Sequence, residues 1–143
     1  MISEDVKISQ GLAYASGTAD RNGATLDMKG YDGVLAIVQL GTVAAGAVTS
    51  VKWQQGAAAN LSDAADLAGT AVAIADDDDS GIKYVDLYQP RERYVRLVVD
   101  KDGSNACAES VTYIQYKAKH QPVAAHGTGV AGEAHVAPAE GTA

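Results

Sequence analysis

The densest patch of potential chemistry in this chain is Asp76-Asp77-Asp78-Asp79-Ser80-Gly81. Asp76, Asp78, Ser80 and Gly81 match the opening of a helix-flanked calcium loop, which takes oxygen ligands from alternate residues and turns sharply at a glycine. Such a loop closes with a bidentate glutamate at its twelfth position, and here that position is Leu87. A strand, not a helix, is expected to follow. The favoured reading is therefore an acidic, solvated hairpin turn whose charge discourages sheet edges from pairing.

The remaining reactive residues are scattered. His120, His126 and His135 are the only histidines, and their spacing fits no common zinc pattern. All three lie beyond residue 117, so the body of the chain lacks the commonest general base. Cys107 stands between alanines and reads as a small, partly buried strand residue, not a nucleophile. Asp86, Glu92 and Glu109 are carboxylates that nothing in the sequence brings together. The glycines fall at turns and not at a strand-to-helix junction that would cradle a phosphate. The inventory predicts no enzyme, no resident metal and no cofactor.

A second cluster suits recognition. Tyr84, Tyr88 and Tyr94 interleave with Arg91, Arg93 and Arg96 around Pro90. Tyrosine and arginine are enriched at protein interfaces. The bland alternative is that the tyrosines pack the core and the arginines are solvated or paired with nearby acids. Composition leaves both open.

The elements that must position these residues are strands. Turn residues recur at short intervals, among them Asn22-Gly23, Asp32-Gly33, Ser80-Gly81 and Asp102-Gly103. Between them lie short segments rich in β-branched and aromatic residues, which argues for an all-β, antiparallel sandwich or barrel. Strands are expected at 24–28, 34–40, 47–55, 71–75, 82–88, 93–99 and 109–116, with an early one near 6–14. Segment 34–40 (VLAIVQL) is nearly all apolar and should be central or buried on both faces. Alternation puts Val51 with Trp53 on one face, then Val95, Leu97 and Val99, then Val111, Tyr113 and Gln115. Only residues 63–67 look helical, with Ser62 as cap and Asp63 and Asp66 in the first turn.

Composition divides the chain into a domain of residues 1–117 and a tail of residues 118–143. The body carries ten Lys and Arg against sixteen Asp and Glu, net −6, and the tail carries one against two, net −1. Neither is a basic arm, so nucleic acid is not expected as a partner. The tail is rich in Ala and Gly with Pro122 and Pro138, and its large aliphatics are Val123, Val130 and Val136. It buries too little apolar surface to offset the entropy of ordering it, so it reads as an extended arm that orders on a partner. No stretch approaches a membrane span, the first 17 residues lack a signal-peptide core, and the lone cysteine suits synthesis in a reducing cytoplasm.

Three segments carry a resemblance: Gln54-Gln55-Gly56, the run from Asn60 to Thr70 (NLSDAADLAGT), and the run from Tyr88 to Arg96 (YQPRERYVR). With the intervening residues from Tyr31 to Asp100 they resemble small virion proteins of tailed phages, specifically the capsid cement, or decoration, proteins of short-tailed Bordetella phages. The resemblance implies a jelly-roll sandwich, homodimers on the outer capsid surface, and clamping of neighbouring major capsid protein subunits. Partner contacts are then expected from Tyr88, Arg91, Arg93, Tyr94 and Arg96 in the body and Pro122, Val123, Val130 and Val136 in the arm. The competing expectations are a head–tail connector or tail component, and a carbohydrate-binding adsorption module with Trp53 on a flat exposed face.

Overall fold

The segments rich in Val, Ile and Tyr form ten strands in the computed structural model, which describes residues 1–142. A short helix, α1 (Ile2–Asp5), precedes β1 (Lys7–Gly17), β2 (Arg21–Asn22), β3 (Leu26–Asp27), β4 (Tyr31–Val43) and β5 (Thr49–Gly56). Then come β6 (Ala65–Asp66), β7 (Val72–Ile74), β8 (Ile82–Tyr88), β9 (Tyr94–Lys101) and β10 (Cys107–Ala118). Every pairing is antiparallel. One sheet has the order β1-β10-β4-β8. The other runs β2-β9-β5-β6, with β3 also on β9 and β7 also on β5. Among the described residues no helix is long and apolar enough to cross a membrane.

The core lies between the two sheets, and period-two alternation builds it. Val34, Ala36, Val38 and Leu40 of β4 are buried, as are Val51 and Trp53 of β5, Val95, Leu97 and Val99 of β9, and Val111 and Tyr113 of β10. β4 is central, held by β10 on one side and β8 on the other. Two polar aromatic atoms pin the sheets together. Trp53 stacks on Tyr113 with ring centroids 5.7 Å apart, and its Nε1 donates to the Val85 carbonyl at 3.3 Å. Tyr113 Oη in turn accepts the Leu97 amide at 3.0 Å. Gly23 is needed beside it, since a Cβ there would collide with the Tyr113 hydroxyl. Trp53 is thus a core residue and offers no exposed face to a sugar.

Two expectations need correction. Residues 63–67 form no helix: Leu61 to Ala64 is a turn, and β6 follows. The carboxylate of Asp63 does not cap its own segment. It reaches back to accept the Ala57 and Ala58 amides, closing a loop in which Leu61 is buried. Nor is the acidic run a hairpin turn. It carries the chain from β7, paired with β5, to β8, paired with β4, and so crosses between sheets. Three of its four carboxylates are bonded and not merely solvated. Asp79 accepts the Val43 amide and Asp76 the Gly46 amide, each at 2.7 Å, and Asp78 accepts the Ala75 amide while pairing with Lys83.

The tail folds back on the body. Val123 N–H donates to the Glu4 carbonyl and Gly127 N–H to the Ile8 carbonyl, both at 2.8 Å. The Ile8 amide donates to His126 Nδ1 at 3.2 Å. The arm therefore runs alongside β1 in the same direction, and residues 131–142 are exposed.

Candidate interaction site

Each sheet turns one face to the core and one outward, and the two outward faces differ in kind. On the β5–β9 sheet the outer residues neutralise one another. Lys52 pairs with Asp66 at 2.8 Å and with Asp100 at 3.1 Å, which raises its pKa and lowers that of Asp66. Gln54 donates to Asp66 and accepts from Arg96 Nε. Nearby, Arg93 makes a two-bond fork on Asp27 and lies over the Tyr94 ring. That fork holds the Asp27 carboxyl below its ordinary range and pushes the guanidinium higher still. These groups have partners already.

The outer face of the β1-β10-β4-β8 sheet is apolar and aromatic. Register fixes its rows. Tyr84, Ile37 and Thr112 lie side by side across β8, β4 and β10. The next row is Asp86, Leu35, Ile114 and Ile8, and the next is Tyr88, Gly33 and Tyr116. Ile82, Tyr84 and Tyr88 are 60%, 68% and 49% exposed, high for side chains of this size on a strand. Among the described residues no salt bridge spans this face. Its polar contacts organise the tyrosines. Tyr116 Oη donates to Asp86 at 2.7 Å, its ring lies parallel to Tyr88 at 6.5 Å, and Lys117 Nζ sits 4.4 Å from the Tyr88 centroid. Partial burial, then Asp86, pushes the Tyr116 phenol well above its ordinary pKa. The Tyr116 ring occupies the space a Cβ on Gly33 would need. The free edge of β8 continues this face, because β8 pairs with β4 alone.

The expected contact residues are therefore split. Tyr88 belongs to the apolar face. Tyr94, Arg93 and Arg96 belong to the opposite, self-neutralised side. Arg91 lies in the β8–β9 loop, where Gln55 accepts its backbone amide, and lines a cleft of about 500 Å³ with Lys29, Asp32, Glu92 and Lys119. Pro122 sits at the turn into the arm, Val123 against Glu4 of α1, Val130 over a cleft beside Ile8 and Leu12, and Val136 is exposed. Leu35, Ile37, Ile82, Ile114 and Tyr116 were not singled out by the sequence reading. For Leu35 and Ile37 the signal was their place in VLAIVQL, between the inward Val34, Ala36 and Val38, where alternation leaves them without a core to enter.

One buried cluster has the look of a catalytic site. Glu109 Oε1 meets Arg21 at 2.7 Å, and Glu109 Oε2 lies 2.9 Å from Lys101 Nζ without hydrogen-bond alignment. Lys101 Nζ also donates to the carbonyls of Gly17 and Cys107. Burial first, then Glu109, pushes the adjacent Cys107 thiol up, away from the nucleophilic thiolate. The Lys101 and Glu109 side chains are sealed from solvent, and their ion pair joins β9 to β10.

No protein-family model matches this chain, and no curated protein matches its sequence.

Proposed function

We propose that this chain is a structural virion protein that binds the outer surface of a phage capsid as a homodimer and clamps neighbouring major capsid protein subunits. The observation that carries the reading is the contrast between the outer faces. One sheet neutralises its own charges, while the other leaves Ile82, Tyr84 and Tyr88 exposed over Leu35, Ile37 and Ile114. An exposed apolar patch of this kind fits a protein partner. The resemblance to cement proteins supplies that partner's identity.

Strand order supports a jelly-roll sandwich. Counting β2 with β3 and β6 with β7 gives eight strands, four to a sheet. The first then pairs with the last, the second with the seventh, the third with the sixth and the fourth with the fifth. This nested pairing is what rolling up one long hairpin yields. A protein that binds assembled shells and not free subunits stabilises the shell by mass action, and contacts with several subunits add avidity.

Co-sedimentation with capsids stripped of this protein tests the reading. Saturable binding at many copies per shell, lost in Tyr84→Asp, is expected. Absence of shell binding, or only a few copies per particle, sinks it and favours a connector or adsorption protein.

A further inference from the structure

β1 is an outer strand, paired with β10 on one side only. On its other side the amide and carbonyl of Ile8 both point away from β10 and both bond to the arm. The approach is close: a Cβ on Gly127 would stand 2.5 Å from Ser9 Cβ and 3.0 Å from Ser9 Cα. Only glycine lets the chain lie there.

The arm is nonetheless a poor occupant of this edge. Its contacts with residues 4 to 8 are two backbone hydrogen bonds and one to an imidazole, far fewer than a laddered strand makes. Clefts remain on both sides of it. One of about 400 Å³ lies among Leu12, Thr112 and Val130, and one of about 600 Å³ among Gln10, Leu26, Gln115 and Thr128. Ser9 Oγ is buried at this seam with no hydrogen-bond partner among the described residues. Buried hydroxyls normally find one, and leaving one unpaired is costly.

We infer that the β1 edge is a strand-docking groove, which the arm holds in cis until an extended segment of the shell protein displaces it. The identity of the partner rests on the proposed function; the groove and its weak occupant do not. The arm of a second copy is the wrong occupant, because it repeats the same three bonds and the same unpaired hydroxyl. The segment that fits pairs its backbone along residues 7 to 10, sets a glycine against Ser9, and brings an acceptor to Ser9 Oγ. Such β-augmentation draws affinity from main-chain bonds. The displaced arm then becomes free to lie across the shell.

Two variants of the full chain test this. Gly127→Val expels the arm by collision with Ser9 and leaves the groove open. Ile8→Pro removes the outward amide, spares the β1–β10 ladder, and is tolerated on an edge strand. Hydrogen exchange at the Ile8 amide reports the arm, and the near-ultraviolet dichroism of Trp53 and Tyr113 reports the core. Should the arm fill the groove about nine-tenths of the time, Gly127→Val binds stripped capsids about tenfold tighter than the parent. Adding Ile8→Pro to Gly127→Val abolishes that gain. Unchanged or weaker binding by a folded Gly127→Val, or a gain that survives Ile8→Pro, overturns the inference while leaving the capsid reading intact. Failure of the parent and all variants to bind shells overturns both.

Discussion

At the scale of single residues, function and stability separate cleanly. Tyr113 is a structural residue. Burial pushes its phenol from the ordinary value near 10 up to about 12, opposed by the Leu97 amide. The fold thus favours the neutral form. Its contribution is full below pH 10 and is lost as pH rises through about 12, so part of the tyrosine absorbance should titrate only there, together with alkaline unfolding. Tyr113→Phe strands the buried Leu97 N–H and should cost about 1–3 kcal/mol in denaturant melts. Glu109→Gln should cost more, roughly 3–5 kcal/mol, because Lys101 then keeps its charge in a sealed site without a counter-charge. Tyr84→Asp and Ile82→Asp change exposed side chains and should leave the melting temperature nearly unchanged while abolishing shell binding. A melting temperature that falls as far as for Glu109→Gln would mean that the apolar face holds the fold together and is not free for a partner.

At the scale of elements, carboxylates do the work that helix caps and ordinary turns were expected to do. Asp102 accepts the Ser104 and Asn105 amides in its own turn and the Val48 amide from the β4–β5 loop, tying two loops at one end of the sheets. Those bonds, Asn105 first, lower its pKa from 3.8 to about 2. The tie is therefore present above pH 4 and lost as pH falls through about 2. Exchange protection at the Val48 amide should vanish over that range, and Asp102→Ala should remove it at neutral pH. The acidic run from Asp76 to Asp79 uses the same device, which explains why a sequence that imitates a cation loop serves as a sheet-to-sheet crossing.

At the scale of the whole molecule, the two sheets divide the labour: one outer face is closed by ion pairs and one is left apolar. The longer strands and their inward residues were readable from the chain alone, because period two is a local property and β-branched segments between turns express it. Val95, Leu97 and Val99, and Val111, Tyr113 and Gln115, were legible in that way. Only the tertiary structure decided which arginines are free. Arg93 and Asp27 are far apart in sequence, as are Arg96 and Gln54, and pairing across such separations follows from strand order. The same is true of the helix expected at residues 63–67, which loses to a loop closed by Asp63 onto Ala57 and Ala58, and of the arm, whose place beside β1 depends on Gly127 meeting Ser9. Periodicity tells each strand which side is inward. Long-range pairing decides which outward side keeps its apolar side chains uncovered.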